Sequence, residues 1–310
     1  MSATHTNNEQ PSKPTPLLLR VLRLAFKFQS VVSKNWAARR AYRLWNAPPR
    51  HTPPPRESVW LEQATAITLP HKHGAIHLYQ WGEGEETILL LHGWSGRGSQ
   101  MGAFAQPLVA AGYRVIAIDA PGHGQSTGKT TTFVNISDVL FDVAQTCAPV
   151  KAVIAHSYGN FALGYALKYS GLQIDKAVTI STPVRPEVML ARFCDALHLN
   201  DAVRKIFYSF FNQDFGEDIW QRMDIEKNVA QLKLPSLIIH DQHDSEVPYE
   251  LSKHLSKVWP DSQLHLTEKL GHRSILRDNA IVDLVVDFIN MPAQQTSIEQ
   301  APEERASLAD

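Results

Sequence analysis

A serine stands at the point in this chain where a strand pattern turns into a helix pattern. Residues 152–155 form an apolar run typical of a buried strand, and apolar residues with helical spacing begin at Phe161. Between them lies Ala155-His-Ser157-Tyr-Gly159, which is the pattern Gly-x-Ser-x-Gly with alanine at its first position. A serine on such a sharp turn has its hydroxyl lifted off the strand end, where a base can reach it. The stretch therefore predicts a nucleophile elbow at Ser157, and an ordinary strand–helix connection is the alternative.

A nucleophilic serine needs a base, and the base needs an acid that orients it. In a parallel sheet such groups lie on loops beyond the carboxyl ends of the strands. His272 follows a predicted strand at residues 263–267, and the strand before it runs into Asp241 and Asp244. Asp244 is favoured as the acid because it lies further into the loop, which can curl toward a histidine. The resulting chain order is Ser157, Asp244, His272, as expected for this arrangement of strands and helices.

Two backbone N–H groups are predicted to stabilise an oxyanion beside the serine. Tyr158 lies at the first turn of the predicted helix, where unpaired N–H groups and the helix dipole favour negative charge. Trp94 lies in a glycine-rich loop at residues 92–98, after a predicted strand, and its N–H is the natural second donor. A plain glycine-rich turn is the alternative. A phosphate-binding loop is excluded because the Gly-Lys-Ser/Thr ending is missing.

The elements that must position these residues alternate between short strands and helices. A hairpin is predicted at residues 65–80, and further strands are predicted at 87–91, 114–119, 152–155, 176–181, 235–240 and 263–267. Helices are predicted at 99–112, 132–146, 248–258 and 273–289, and directly after Ser157. This pattern predicts an α/β fold with a mostly parallel central sheet flanked by helices. A helical, aromatic-rich stretch at 184–231 predicts an inserted lid, with some of its aromatic side chains facing the cleft.

The N-terminal part of the chain has a different composition. Residues 1–15 are polar and are predicted to be disordered, as is the tail at 292–310. Residues 16–46 carry seven basic residues and no acidic one, in the pattern of a basic amphipathic helix that bends or restarts near Ala38. This extension packs on the body of the protein, contacts a membrane peripherally, or serves as a leader. A proline-rich linker at 47–56 joins it to the main domain at 57–291.

Overall composition narrows the classes of partner and location. The 310 residues carry a formal net charge of −1, so no overall field favours nucleic acid, and no nucleic-acid partner is expected. Nothing in the sequence indicates an oligomeric state. The two cysteines, Cys147 and Cys194, form no Cys-x-x-Cys pair, which favours a reducing, cytoplasmic location. No apolar run approaches the ~20 residues needed to span a bilayer.

The fourteen histidines raise the alternative of a zinc hydrolase. His71, His73 and His77 alternate along one predicted strand face, and His240 and His243 lie close to two aspartates. The first group falls in the predicted hairpin, far from the strand ends that carry the cleft. A serine with its own base and acid needs no metal or other cofactor, so none is expected.

Five short segments in this order resemble the α/β-hydrolase superfamily over about residues 60–290. They are His92-Gly-Trp94, Asp119-Ala-Pro-Gly-His-Gly-Gln-Ser126, Ala155-His-Ser-Tyr-Gly159, Asp244-Ser-Glu-Val-Pro248 and Gly271-His272. The segments at 92–100 and 271–278 are similar to a bacterial group described only as α/β-fold hydrolases. The resemblance implies the α/β-hydrolase fold, Ser157 as nucleophile, Asp244 and His272 as its partners, and Trp94 and Tyr158 as oxyanion donors.

The activity predicted from these residues is serine hydrolysis of carboxylic esters through an acyl-serine intermediate. The expected substrate is a small-molecule acyl ester, and the aromatic-rich insertion favours an apolar or medium-chain acyl group. Lipase, thioesterase, amidase and carbon–carbon hydrolase activities use the same groups and stay open. A protein of this fold that only binds a ligand is the alternative from another class, and the complete set of serine, aspartate and histidine argues against it.

Overall fold

An eight-stranded sheet forms the centre of the computed structural model, which describes residues 16–292. Its strands are β1 (Thr65–His71), β2 (Gly74–Trp81), β3 (Thr87–Leu91), β4 (Arg114–Ile118), β5 (Val150–His156), β6 (Lys176–Ile180), β7 (Ser236–Asp241) and β8 (Ser262–Thr267). Across the sheet their order is β1-β2-β4-β3-β5-β6-β7-β8. β2 pairs antiparallel with β1 and β4, and the other neighbouring pairs are parallel. This mostly parallel sheet confirms the fold class predicted from the sequence.

Helices cover both faces of the sheet. The α-helices among residues 16–292 are α1 (Leu17–Val32), α2 (Lys34–Trp45), α3 (Pro55–Leu61), α4 (Ala105–Ala110), α5 (Phe133–Thr146), α6 (Gly159–Tyr165), α7 (Pro186–Ala196), α8 (Asp201–Phe215), α9 (Ile219–Arg222), α10 (Ile225–Val229), α11 (Glu250–Val258), α12 (Gly271–Ser274) and α13 (Asn279–Asn290). Leu89 and Leu91 of β3 enter one hydrophobic core with α5 and α6. Ile88 and Leu90 enter a second core with α4 and α13. Both faces of β3 are therefore buried, as its uninterrupted apolar run predicts.

Helices α7 to α10 form an insertion between β6 and β7. Phe207 of this insertion contacts Phe193 and Phe211, with ring centroids 5.8 and 5.4 Å apart. The ring of Tyr42, from α2, packs edge-on against Phe211 at 4.9 Å. The insertion thus has an aromatic core of its own, which it shares with the N-terminal extension.

That extension forms two helices, and the break lies at Ser33 rather than near Ala38. Ser33 has an extended backbone, and its hydroxyl accepts a hydrogen bond from the Trp36 N–H at 3.3 Å. This side-chain cap allows a new helix to begin at residue 34. Ala38 is instead fully buried together with Ala37 and Ala41, on the helix that packs against α8.

Two segments near the candidate site are less regular than predicted. The segment predicted as one helix at residues 99–112 begins as a 3₁₀ helix (Gly98–Phe104), which α4 follows. The predicted helix at 273–289 is divided, because the Asp278 carboxylate accepts a hydrogen bond from the Ile281 N–H and caps a new helix, α13. His272 therefore lies in the one-turn helix α12 rather than in a loop before a long helix.

Residues 1–15 and 293–310 lie outside the described residues, so the predictions of disorder at the two ends stay predictions. Residues 48–54 have no regular secondary structure, and α3 begins at Pro55. From residue 16 to residue 292, no helix combines the length and the apolar character that crossing a bilayer requires.

Candidate active site

Ser157 occupies a strained turn between β5 and α6. Its backbone is left-handed, with φ +50°, a conformation that is costly for a residue other than glycine and persists only where the surroundings enforce it. The Ser157 N–H donates to the Ile180 carbonyl at 2.9 Å. Gly159 allows the next helix to approach the sheet, since a Cβ there would lie 2.7 Å from the His92 carbonyl oxygen. The strand, turn and helix predicted around Ser157 are all present.

Three side chains from the segments that follow β5, β7 and β8 form a hydrogen-bonded relay at the carboxyl edge of the sheet. The Nε2 atom of His272 lies 3.0 Å from the Ser157 Oγ atom, and its Nδ1 atom lies 2.7 Å from Asp244 Oδ2. An ionised carboxylate cannot donate, so Nδ1 carries the proton and Nε2 is free to accept one from the hydroxyl. The structure thus brings together the three side chains selected from the sequence.

The Asp244 carboxylate accepts hydrogen bonds from both sides. Its Oδ1 atom accepts from the N–H groups of Glu246 at 2.8 Å and Val247 at 2.9 Å. Its Oδ2 atom faces His272, and His240 Nε2 lies 3.3 Å away on the other side. Burial by itself would raise the pKa of Asp244, but hydrogen bonds from the two histidines outweigh burial and hold the pKa well below its usual range. Asp244 is therefore ionised beside the imidazole at neutral pH.

Asp241, the alternative acid, has different partners. Its carboxylate accepts hydrogen bonds of 2.8 to 2.9 Å from the Thr267 hydroxyl and from backbone N–H groups in the loops after β7 and β8. No hydrogen bond joins it to the imidazole of His272 within the described structure. Asp241 joins the segment that carries Asp244 to the segment that carries His272. It therefore fixes the positions of both side chains without contacting the imidazole.

The backbone N–H groups of Trp94 and Tyr158 have no acceptor among residues 16–292. Gly93 allows their loop to approach the serine closely, because a Cβ on it would lie 2.9 Å from Ser157 Cβ. The Trp94 ring packs against the Tyr158 ring, with centroids 4.9 Å apart, and stacks on Trp45 of α2 at 6.1 Å. Both N–H groups are thus free to donate to a negatively charged oxygen bound beside Ser157.

Two buried histidines hold the loop that carries Trp94, a role that the sequence analysis did not identify. His92 Nε2 accepts a hydrogen bond from the Ala120 N–H at 3.0 Å, and His123 Nε2 accepts from the Ser95 N–H at 3.1 Å. Burial lowers the pKa of His123 to about 4, so its imidazole is neutral and can accept at neutral pH. Both histidines lie in the segments on which the family resemblance rests. That resemblance was the only feature of the sequence that could have indicated their role.

Two further histidines support the imidazole and the carboxylate. His156 Nε2 donates to the His272 carbonyl at 2.9 Å, and burial lowers the pKa of His156 to about 3. His240 is fully buried, with its Nδ1 atom 2.6 Å from the Ser252 hydroxyl. Its Nε2 atom faces a backbone carbonyl at 3.1 Å as well as Asp244. Because both of these groups are acceptors, Nε2 carries the proton and His240 donates toward Asp244.

A cavity of about 490 Å³ opens at Ser157. Residues 51, 54, 56 and 57 form one of its walls, so the segment before the main domain is part of the site. The large apolar side chains that line it are Pro54, Trp94 and Met189, and the lining is otherwise mostly polar, charged or glycine. Met189 is the contribution of the insertion, and none of the aromatic residues at 186–231, all of them described, lines this cavity. The prediction that some of them face the cleft is wrong, because they pack in the aromatic core instead.

A buried ion pair fastens the wall of the cavity to the loop of Trp94. Arg97 donates two hydrogen bonds of 2.7 Å to the Glu57 carboxylate, and the Ser99 hydroxyl donates a third of 2.6 Å. Both charged side chains are more than nine-tenths buried. Multiple hydrogen bonds are what makes such a buried pair tolerable, and they fix α3 against the loop.

The hairpin histidines considered as metal ligands bind carboxylates instead. His71 Nε2 lies 2.8 Å from Asp142, and His73 Nε2 lies 2.9 Å from Asp138, both on α5. Over the part of the chain that the structure describes, no group of three His, Cys, Asp or Glu side chains could hold a metal ion.

The geometry around Ser157 is suited to nucleophilic attack coupled to proton transfer.

Comparison with known proteins places this geometry in a family. The model of the alpha/beta hydrolase family matches residues 88–284, which is more than half of the polypeptide. The matched region includes Ser157, Asp244 and His272. The 2-hydroxy-6-oxononadienedioate/2-hydroxy-6-oxononatrienedioate hydrolase of Escherichia coli K12 is 26% identical over 265 residues, covering 70% of this chain and 91% of that protein.

Solved structures share the fold at lower identity. An esterase from Pyrococcus furiosus matches with a TM-score of 0.58 at 19% identity, covering 78% of this chain and 95% of that one. An esterase from Exiguobacterium antarcticum matches with a TM-score of 0.57 at 15% identity, covering 73% of this chain and 100% of that one. These two likenesses concern the fold alone, whereas the family match includes the segments that carry the site. The chain belongs to the alpha/beta hydrolase family.

Proposed function

We propose that this protein is a serine hydrolase that cleaves carboxylic esters through an acyl-serine intermediate. The observation that carries the proposal is the hydrogen-bonded chain from Asp244 through His272 to Ser157, which ends beside two free N–H groups at an open cavity. Membership of the alpha/beta hydrolase family supports hydrolysis as the reaction class. The side chains and N–H groups supply nucleophile, base, acid and oxyanion donors, so the proposed reaction uses no cofactor.

In the proposed reaction, Ser157 Oγ attacks the acyl carbonyl carbon while His272 Nε2 takes the hydroxyl proton. Asp244 keeps the imidazole in the accepting tautomer and stabilises the positive charge that develops on it. The N–H groups of Trp94 and Tyr158 bind the oxyanion. His272 then protonates the departing alkoxide, which leaves the acyl group on Ser157. Water loses a proton to His272 and attacks the acyl-serine, and the same proton returns to Oγ as the carboxylic acid is released.

The lining of the cavity indicates which esters to expect. Arg56 and Arg273 contribute guanidinium groups, and large apolar side chains are limited to Pro54, Trp94 and Met189. This lining favours a short or polar acyl group over the apolar or medium-chain group that the aromatic-rich insertion had indicated. Within a series of p-nitrophenyl esters, we expect kcat/KM for the acetate to exceed kcat/KM for the octanoate.

Replacement of the nucleophile tests the reaction itself. Ser157→Ala should lower kcat for p-nitrophenyl acetate by about 10⁴- to 10⁶-fold, with an unchanged circular dichroism spectrum. Turnover by this variant at the wild-type rate would exclude Ser157 as the nucleophile.

Labelling with an organophosphonate separates an active serine from a site that only binds a ligand. One equivalent should attach to Ser157, as located by mass spectrometry of the digested protein. Ser95→Ala is the matched control, because Ser95 also lines the cavity but its hydroxyl has no hydrogen-bond partner among the described residues. This variant should keep the label, and the Ser157→Ala variant should lose it. A wild-type protein that takes up no label would favour ligand binding without catalysis.

Cleavage of a carbon–carbon bond next to a carbonyl is the second candidate. The relative from E. coli K12 is a hydrolase of a dienedioate, which carries two carboxylates by its name. Arg56 in the cavity could pair with one such group, and Arg273 could pair with the other by giving up its 3.2 Å ion pair with Glu246. Loss of the ultraviolet absorbance of 2-hydroxy-6-oxononadienedioate on incubation with the protein tests this candidate. A kcat/KM above that for every p-nitrophenyl ester would make carbon–carbon cleavage the principal activity.

We also infer a cytoplasmic location. Cys147 and Cys194 are both buried and unpaired in the structure, as expected in a reducing compartment. Recovery of the native protein from a secreted or periplasmic fraction would contradict this inference.

A further inference from the structure

An apolar face of α1 is open to solvent along its whole length. Of the twelve exposed large hydrophobic side chains among residues 16–292, nine lie in the N-terminal extension. Those on α1 recur with helical spacing on one side, at Leu17, Leu18, Val21, Leu24, Phe28, Val31 and Val32. Monomeric soluble proteins rarely leave such a continuous apolar stripe uncovered, and stripes of this kind mark interaction sites. These seven side chains form the outer face of α1.

The opposite side of α1 is already in use. Phe26 and Gln29 are buried, and Arg23 donates a hydrogen bond of 2.8 Å to the Ala196 carbonyl at the end of α7. The guanidinium of Arg40, on α2, lies over the Phe26 ring at 5.6 Å. The helix is therefore anchored on α2 and on the insertion, and this anchoring holds the outer face toward solvent.

Exposed cations border the outer face. Arg20 and Lys27 lie on α1 beside the apolar stripe, Lys34 begins α2, and all three are exposed. Within the described residues no carboxylate lies within ion-pairing distance of any of them. Residues 16–46 contain no aspartate or glutamate at all. The face thus combines apolar side chains with uncompensated positive charge.

We propose that the outer face of α1 is a docking surface for an anionic lipid bilayer. A helix of this kind lies in the plane of the interface, with its apolar side chains among the acyl chains and its cations at the headgroups. The charge argues against a second copy of this chain as the occupant, because pairing two outer faces would bring like charges together. Docking in this way would place the insertion, on which α1 packs, close to the membrane surface. The surface lies apart from Ser157 and does not depend on the proposed reaction.

The apolar part of the proposal is tested by vesicle co-sedimentation of the full chain. Vesicles contain equal parts of phosphatidylcholine and phosphatidylserine, or phosphatidylcholine alone. Leu24→Glu with Phe28→Glu should reduce the bound fraction on anionic vesicles by more than about tenfold. The matched control is Val59→Glu with Tyr169→Glu, which adds the same two charges at exposed apolar positions outside the extension. This control should lose at most a small part of the binding.

The electrostatic part has its own matched pair. Each basic residue near an anionic surface contributes a factor of about five to binding, so Arg20→Gln with Lys27→Gln should weaken binding about 25-fold. The control, Lys129→Gln with Lys257→Gln, removes two exposed charges elsewhere and should weaken binding much less. Turnover of p-nitrophenyl acetate in solution should be unchanged in all four variants, which separates a failure of docking from a failure of the catalytic assignment.

Three results would overturn the proposal. The first is equal pelleting of the wild type with and without anionic vesicles, and the second is equal pelleting with neutral and anionic vesicles. The third is a dimer, measured by light scattering, that the Leu24→Glu and Phe28→Glu pair converts to a monomer, because the occupant would then be a second copy of the chain.

Discussion

Replacing Asp244 by asparagine should remove most of the proposed esterase activity while the shape of the site is kept. In the structure the carboxylate accepts hydrogen bonds from two backbone N–H groups through Oδ1, and from His272 and His240 at Oδ2. An asparagine side chain has one acceptor oxygen and one NH₂ group. If its oxygen stays with the backbone N–H groups, its NH₂ group faces the Nδ1 atom of His272.

Two donors cannot face each other, so the proton of His272 must move from Nδ1 to Nε2. The Nε2 atom lies 3.0 Å from Ser157 Oγ, and as a donor it cannot take the hydroxyl proton. The negative charge that stabilises the imidazolium ion is lost at the same time. A change of this kind lowers kcat about 10⁴-fold, which corresponds to about 5 kcal/mol of activation free energy.

The assay is hydrolysis of p-nitrophenyl acetate by Asp244→Asn and by Asp241→Asn. Asp241 is the matched control, since it is a fully buried carboxylate three residues away that hydrogen-bonds the loops and not the imidazole. Its replacement should lower kcat about tenfold or less, through loss of one or two loop hydrogen bonds. The reasoning would be refuted by an Asp244→Asn variant within about tenfold of the wild type, or by an Asp241→Asn variant that is the more impaired of the two.

Further predictions concern the residues that support the site. Gly93→Ala should lower kcat about 10- to 100-fold, because its Cβ would lie 2.9 Å from Ser157 Cβ and displace the nucleophile. Arg97→Met should lower the free energy of unfolding in urea by about 3–5 kcal/mol, since it leaves a buried carboxylate unpaired. His123 and His156 have pKa values lowered by burial, to about 4 and about 3, so protons bind the unfolded chain preferentially. The stability they contribute is complete above the unfolded pKa of about 6.5 and is lost as the pH falls below it. Together these two histidines should make the free energy of unfolding about 4 kcal/mol lower at pH 5 than at pH 7, and His92, whose pKa burial also lowers well below its usual value, adds to that loss.

Each of these predictions has a control. Gly164→Ala should leave kcat almost unchanged, because a Cβ there would meet nothing nearer than 3.6 Å. Lys227→Met breaks a pair 3.9 Å long whose lysine is exposed, so it should change the free energy of unfolding by less than about 1 kcal/mol. His123→Asn should reduce the loss of stability between pH 7 and pH 5 by about 2 kcal/mol. Equal effects of Gly93→Ala and Gly164→Ala on kcat would contradict the packing argument. Equal effects of Arg97→Met and Lys227→Met on the free energy of unfolding would contradict the ion-pair argument. A pH dependence of stability that His123→Asn leaves unchanged would contradict the burial argument.

The strands could be predicted because each is encoded in a few consecutive residues. Residues 87–91 are an apolar run, and they form a strand that is buried on both faces. Helix boundaries were less predictable where a single side chain decides them. Ser33 and Asp278 each accept a hydrogen bond from a backbone N–H and start a new helix. Hydrophobic periodicity averages over several turns, so it does not register such a cap.

The sequence by itself determined the α/β fold class and the set of residues that could serve as nucleophile, base and acid. Residue type and position at a strand end are both local properties, so Ser157 and His272 could be selected without coordinates. Only the tertiary structure shows that Asp244, the acid favoured from the sequence, reaches the imidazole while Asp241 does not. It alone shows that His240 supports this carboxylate and that residues 51–57 contribute a wall of the cavity. It also decided that the aromatic side chains of the insertion pack inward. These outcomes depend on how loops far apart in the chain approach one another, and no local pattern encodes that distance.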